Sequence, residues 1–252
     1  DVNENLAKEA ATFTETTFIE DLETIVKISD TLFLTVPDDL ITTVWNQMKD
    51  MSLEGKFICH CSGALSAGDA FPGIDKCGAF GYSVHPLFAV SDKYNSYKEL
   101  SHAYFVIEGD EKHREEIAGI FNNLGNEVRY IAAKDKVKYH CAAAVCSNHV
   151  VALIQESLDL MQECGFDEES ALKALAPIML GNMQHIAERG TVNSLTGPVE
   201  RADVKTVEKH LNCLDEKQQM IYRLLSEVLI SIGEKKNPGR DYGRLKHILG
   251  NE

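Results

Sequence analysis

Thr31-Leu-Phe-Leu-Thr-Val-Pro37 is a nearly continuous apolar run, too short for a helix and closed by a proline. That is how a strand buried on both faces of a parallel sheet reads. Downstream, a helix is expected from about Asp39 to Asp50, and a second strand from Lys56 to His60 runs into the small-residue turn Cys61-Ser62-Gly63. A third strand ends at Gly81 to Pro86 and a fourth spans Ala103 to Gly109. A helix then closes at Gly125, and Glu127 to Ala132 makes a fifth strand. Strands alternating with helices predict an α/β fold with a parallel, doubly wound sheet. Upstream, Asn3 to Ala11 favours helix, and Asp21 is placed to cap a short second one.

After about Lys134 the strand signal stops. One helix is expected from Lys138 to Cys164, about 40 Å long at ~1.5 Å per residue, closed by Gly165. A second runs from Glu168, behind the cap Asp167, to Arg189 before Gly190, with Pro177 as its kink. A short helix starts behind Asp203 and a last long one spans about Glu216 to Gly233, while the tail from Lys235 is left unassigned. The expected organisation is a sheet domain over 1–134 and an all-helical domain over 135–252, packed directly without a low-complexity linker.

The bulk composition fits this reading. The chain has 252 residues, 44% apolar and 25% charged, as a folded globular protein has. A net charge of −14 with no basic patch excludes phosphate backbones and anionic lipid surfaces as expected partners. No run approaches the roughly 18 unbroken apolar residues of a membrane span. Seven scattered cysteines, odd in number, read as free thiols of a reducing compartment and predict a cytoplasmic protein. The chain opens at Asp1 on residues that already favour helix, so an upstream segment is expected.

In open α/β sheets ligands bind beyond the carboxyl ends of the strands, where loops and helix starts present free N–H groups. Three such ends are notable: Thr35-Val36-Pro37-Asp38-Asp39, His60-Cys61-Ser62-Gly63 and Ser83-Val84-His85-Pro86. Asp38 or Asp39 reads equally as a helix cap or as a ribose contact. Gly63 allows a close backbone approach and Ser62 offers a hydroxyl, although a plain tight turn explains both. His85, held extended by the proline after it, is a candidate for proton transfer or a structural histidine. The run Cys59-His60-Cys61 invites a metal, but neighbouring strand residues point to opposite faces, so zinc is not expected. On the long helix, His140, Ser147 and Asn148 lie two turns apart on one face, as site residues or as a polar cluster of a dimer core. Arg201, in Ser194 to Asp203, is either an anion contact or a solvated loop residue.

Taken together, LTVPDD, HCSGALSA, SVHPL, KYHCAAAVCSNH and above all SLTGPVERADVKTVEKHL resemble, in order and separation, the Rossmann-like proteins with a C-terminal helical domain of unknown function. These are similar to the 6-phosphogluconate dehydrogenase-like group, including pyrroline-5-carboxylate reductase, prephenate dehydrogenase, ketopantoate reductase and deazaflavin-dependent NADP reductases. The resemblance implies an NADP or NAD site in the first domain, a small-molecule substrate in a cleft between domains, and a homodimer through the helical domain. On it, Val36, Pro37, Asp38, His60, Ser62 and Gly63 are the expected cofactor contacts. His85 and His140 are expected to transfer protons or orient substrate, with Ser147 and Asn148 as hydrogen-bonding partners.

One departure stands out. The group begins with a strand, a Gly-x-Gly-x-x-Gly turn and a helix that hold the cofactor pyrophosphate, and this sequence has no such turn. An unpaired sheet edge and weak cofactor binding are therefore expected. The competing expectation is a non-catalytic nucleotide-sensing or scaffold dimer, with a metal-dependent hydrolase a distant third.

Overall fold

The computed structural model describes residues 1–250. It contains α1 (Glu4–Phe13), α2 (Leu22–Ile28), β1 (Thr31–Leu34), α3 (Asp38–Met48), β2 (Phe57–His60), α4 (Ala67–Ala70) and β3 (Phe80–Leu87). There follow β4 (Tyr104–Gly109), α5 (Arg114–Asn122), β5 (Val128–Tyr130), α6 (Lys136–Cys146) and α7 (Asn148–Glu163). The chain continues through α8 (Glu168–Ser194), α9 (Val204–Cys213), α10 (Glu216–Lys236) and α11 (Gly243–Leu249). It divides into two compact units, Asp1–Val150 and a second opening at Val151. Helix α6, which the sequence reading places in the helical domain, belongs to the sheet unit.

The five strands lie in chain order, β1-β2-β3-β4-β5. Three of the four pairings are parallel, but β3 and β4 are antiparallel, with Val84 opposite Ile107 and His85 opposite Val106. This corrects the fully parallel expectation at one ladder. A parallel return needs a crossover element packed on the sheet. The stretch from β3 to β4 carries only a 3-10 turn at Ser96–His102, so the chain comes back antiparallel.

Helices cover both faces. Ile58 packs with Trp45, Met48 and Phe71 on one side, whereas Cys59 packs with Tyr82, Ile107 and Ile117 on the other. The alternation of a strand thus separates the members of the Cys-His-Cys run, as its spacing predicts. Trp45 is wholly buried, and its indole N–H donates to the Pro72 carbonyl at 3.1 Å, leaving no polar cost behind.

In the helical unit the predicted caps form: Asp167 accepts from the Ser170 N–H at 2.9 Å, and Asp203 from the Thr206 N–H at 3.1 Å. Asp215 and Gln218 form a capping box at the start of α10. Gly190, at φ 75° and ψ 170°, interrupts α8 directly after Arg189. The tail left open by the sequence forms α11, which buries Leu245 and Leu249 against Val207 and Ile230. The Ser194 to Asp203 loop is tied down by Glu200, whose carboxylate accepts from Asn237 and Arg240, each at 2.7 Å. Arg201 itself is exposed.

The single helix expected from Lys138 to Cys164 is two. Ser147, at φ −113° and ψ −74°, separates α6 from α7, and its hydroxyl donates to the Ala143 carbonyl at 2.8 Å. Such back-bonding to the carbonyl four residues earlier bends helices. By length and composition the stretch Ala133–Glu163 reaches a membrane span, with a mean hydropathy of 1.2. Its apolar runs are short, broken by Lys136, Lys138 and His140 in its first turns and by Ser147, Asn148 and His149 at its centre.

Candidate active site

The site grows from the carboxyl ends of β1, β2 and β3. His60 closes β2 with its ring fully buried against Phe71, and its Nδ1 accepts the Ser62 N–H at 3.1 Å. This corrects the expectation that His60 touches a cofactor, since the imidazole holds the turn from inside. Ser62 then reaches both ways: its hydroxyl donates to Asp38 at 2.5 Å and accepts the Leu65 N–H at 3.0 Å. Asp38 therefore spends its carboxylate across the strand ends. The residue capping α3 is Pro37, with no side-chain cap bond, so the capping alternative for Asp38 is not what forms. Val36 is half-buried against the core and Pro37 exposed at the same turn.

From the other side, α6 contributes Lys136, Tyr139 and His140, which share one helical face by their i, i+3, i+4 spacing. Lys136 is only 1% exposed; its Nζ donates to the Ser62 carbonyl at 2.8 Å and to the Ser83 hydroxyl. Ser83 in turn donates to the same Ser62 carbonyl at 3.0 Å. Tyr139 Oη lies 2.8 Å from His85 Nδ1. The His85 and His140 rings meet edge to face at 6.1 Å between centroids.

Gly63 makes this approach possible. A Cβ there would lie 2.4 Å from His140 Cδ2 and 2.9 Å from His85 Nε2, closer than carbon tolerates. The glycine is thus required by proximity rather than by a left-handed turn.

Above these rings opens a cavity of about 640 Å³, lined by His85, Leu87, Tyr139, His140, Ser147 and Asn148 among others. All four residues expected to carry chemistry therefore share one cavity. The break at Ser147 contributes to this, because it ends α6 and sets Ser147 and Asn148 into the cavity wall.

The electrostatics are unusual for an acidic chain. Burial first, and then the Lys136 ammonium, push His85 and His60 down to about 4, so both are neutral at physiological pH. Burial pulls Lys136 itself down to about 8, against the opposing pull of Glu108 and Asp38. Burial raises Tyr139 to about 12, keeping its hydroxyl protonated. Of these groups His85 and Tyr139 line the cavity, offering a neutral imidazole and a protonated phenol to an oxygen-bearing ligand, whereas Lys136 and His60 are buried. Among the described residues, no group of three or more His, Cys, Asp or Glu is placed to hold a metal ion.

Two site residues escaped the sequence reading. Tyr139 stands beside His140 in the sequence with no role assigned to it, and Lys136 lies three residues ahead of it, outside any motif. A lysine in the first turn of a helix reads as solvated, and the i+3, i+4 spacing that puts Lys136 on the face of Tyr139 and His140 does not by itself reveal burial.

A mostly parallel sheet with helices on both faces, a polar site at the strand ends and a following helical unit define a Rossmann-like protein with a C-terminal helical region. Residues 103–229, just over half of the chain, match the family model described as a domain of unknown function, DUF2520, and the chain belongs to this family. A crystal structure of a protein from Thermotoga maritima is similar at TM-score 0.76 and 26% identity, over 94% of this chain and 90% of that one. The pyrroline-5-carboxylate reductase of Coxiella burnetii shares the fold at TM-score 0.59 and 13% identity, over 94% and 86%. So does a reductive aminase from Aspergillus terreus in complex with NADPH and ethyl levulinate, at TM-score 0.58 and 14% identity, over 96% and 87%. No curated protein matches the chain by sequence.

Proposed function

We propose that this chain is an NAD(P)-dependent oxidoreductase acting on a small-molecule substrate in the cavity above Gly63. The observation that carries this reading is the convergence of His85, Tyr139, His140 and the buried Lys136 on the carboxyl ends of β2 and β3, beside a cavity of about 640 Å³. The fold shared with the reductase and the NADPH-bound aminase supports it.

The residues present fit the nicotinamide end of such a cofactor. The exposed Asp38 carboxylate, oriented by the Ser62 hydroxyl, is an acceptor suited to ribose hydroxyls, and the Val36-Pro37 turn brings the start of α3 to the same rim. Val36, Pro37, Asp38, Ser62 and Gly63 would hold this end, with His60 supporting their turn. When bound, the nicotinamide supplies or accepts a hydride. The chain supplies the positioning: His85 presents a neutral imidazole to a substrate oxygen, His140 exchanges the proton, and Ser147 and Asn148 orient the remainder. Lys136 holds the loop after β2 and disfavours protonation of His85.

A cytoplasmic homodimer, joined through the helical unit and binding neither nucleic acid nor membrane, completes the proposal. Its support is the net charge of −14 and the exposed apolar side chains Ile178, Leu180 and Met183 on α8 and Leu224 and Val228 on α10. Calorimetric titration with NADPH and with NADH tests the core of the reading. Saturable binding of either at sub-millimolar concentration is expected; no heat from either at millimolar cofactor overturns it.

A further inference from the structure

We propose that Tyr139 is a positioning residue that fixes His85 in its Nε2–H tautomer, making His85 and the cavity above Gly63 a receptor for the carbonyl oxygen of a ketone or aldehyde with an apolar body. The geometry decides the tautomer. A single contact of 2.8 Å joins Tyr139 Oη to His85 Nδ1, and one of the two must donate.

If the phenol donates, its hydrogen and the Nδ1 lone pair are both satisfied, and Nε2–H faces the cavity. If Nδ1–H donates instead, the phenol hydrogen replaces Nε2–H as the one without a protein acceptor, so each arrangement leaves one donor open to the cavity. The acid–base match decides between them: the phenol is a stronger acid than a neutral imidazole and the imidazole nitrogen a stronger base than a phenolic oxygen, so O–H···N is the stronger bond. The phenol, held protonated by its burial, therefore donates.

The remaining nitrogen is placed for use. His85 Nε2 points toward Gly63, lies on the cavity wall and has no protein partner among the described residues. Charged and titratable groups around the ring are Lys136 and His140 on α6 and Asp38 on α3. Lys136 and His140 both oppose its protonation, so the ring stays a neutral donor rather than an acid. Beyond it the wall is apolar, through Leu87, Phe88, Val90 and Ala142 to Ala144, with the Asn148 amide at one end. A ligand that matches carries one carbonyl oxygen on a hydrocarbon body.

The ligand side of this inference rests on the proposed enzymatic reading, but the tautomer is a property of the protein alone. It is read by two-bond proton–nitrogen NMR of the 15N-labelled chain at neutral pH, with the His85 signals assigned by their loss in His85→Gln. The expected result is a protonated Nε2 and a bare Nδ1 in the unsubstituted protein, giving way to a mixture of tautomers in Tyr139→Phe. A protonated Nδ1 in the unsubstituted protein overturns the proposal, whether or not Tyr139→Phe folds. So does an unchanged tautomer in a folded Tyr139→Phe.

Cyclohexanone is the ligand probe. It is expected to shift His85 Nε2 in a saturable way, with binding about fivefold weaker in Tyr139→Phe; shifts confined to other histidines overturn the receptor. Failure of NADPH and NADH to bind, with the tautomer as stated, removes the oxidoreductase reading and leaves the positioning role of Tyr139 standing.

Discussion

The sheet unit and the helical unit differ in how much polarity they bury. The sheet unit buries His60, Ser62, Ser66, Ser83, Glu108, Asn126 and Lys136, whereas the helical unit buries Ser226 as its one polar residue of that kind among the described residues. Both units leave large apolar side chains in the open; those of the helical unit include a set on α8 and α10, among them Leu180 at 70% and Val228 at 58% exposure. Buried polar groups cost folding free energy unless every partner is in place. In the sheet unit His60, Ser62, Ser83 and Lys136 form a linked set around one turn, with His60 Nε2 left without a protein partner. Exposed apolar side chains concentrated on α8 and α10 cost nothing to folding but leave surface that another protein can cover. The sheet unit carries its buried polar set beside the cavity, and the helical unit carries an apolar surface on α8 and α10.

The largest effect that would test this contrast comes from the apolar support beneath the polar set. Trp45→Ala removes a wholly buried ring from the layer that carries His60 and Phe71, and should cost about 3–5 kcal/mol. Urea unfolding followed by far-ultraviolet circular dichroism measures it. A loss below about 1 kcal/mol would mean that this core does not hold the site.

Acid comes next. His60 and His85 have folded values of about 4 against an ordinary 6.5. Between these values the unfolded chain binds more protons, so stability is intact above about pH 6.5 and is lost as pH falls toward 4. For the fully buried His60 the loss is on the order of 3 kcal/mol. The helix caps Asp167 and Asp203 are held below the ordinary carboxylate value by the hydrogen bonds they accept, so the helical unit keeps its caps to lower pH. The chain has one tryptophan, Trp45, and it reports on the sheet unit alone. Its fluorescence transition should move to lower urea at pH 5 while helical dichroism is retained; coincident loss of both signals would erase the contrast.

The smallest effect on folding is expected from Leu180→Asp combined with Val228→Asp, because both side chains are already exposed. Helical content should be unchanged, yet the mass by light scattering should fall from two chains to one. A single-chain mass before substitution would remove the second copy as the cover.

Most of this architecture is legible in the sequence, for identifiable reasons. Apolar runs such as Thr31 to Leu34 mark strands because both faces of the sheet are covered, and Asp21, Asp167 and Asp203 mark helix starts because orphan N–H groups need acceptors. Strand direction is not legible, since hydrophobic periodicity is the same for either sense; β4 was read as a strand but not as a reversed one. The cavity residues His85, His140, Ser147 and Asn148 were found through residue type and spacing. Burial was not: nothing local distinguishes the interior Lys136 from the solvated lysines beside it, or shows that His60 faces inward at the end of its strand. Those facts depend on contacts between β2, β3 and α6, dozens of residues apart.

The absent side chain at Gly63 sets a limit of a different kind. Every other amino acid carries a Cβ, and at this position that atom would collide with His140 and His85 together. In a library covering all substitutions, Gly63 should therefore tolerate none without displacing both rings, whereas exposed Pro37 and Asp39 nearby have room to vary. Variation at this position is therefore coupled to the rotation of two rings: a side chain can enter only as His85 and His140 move aside.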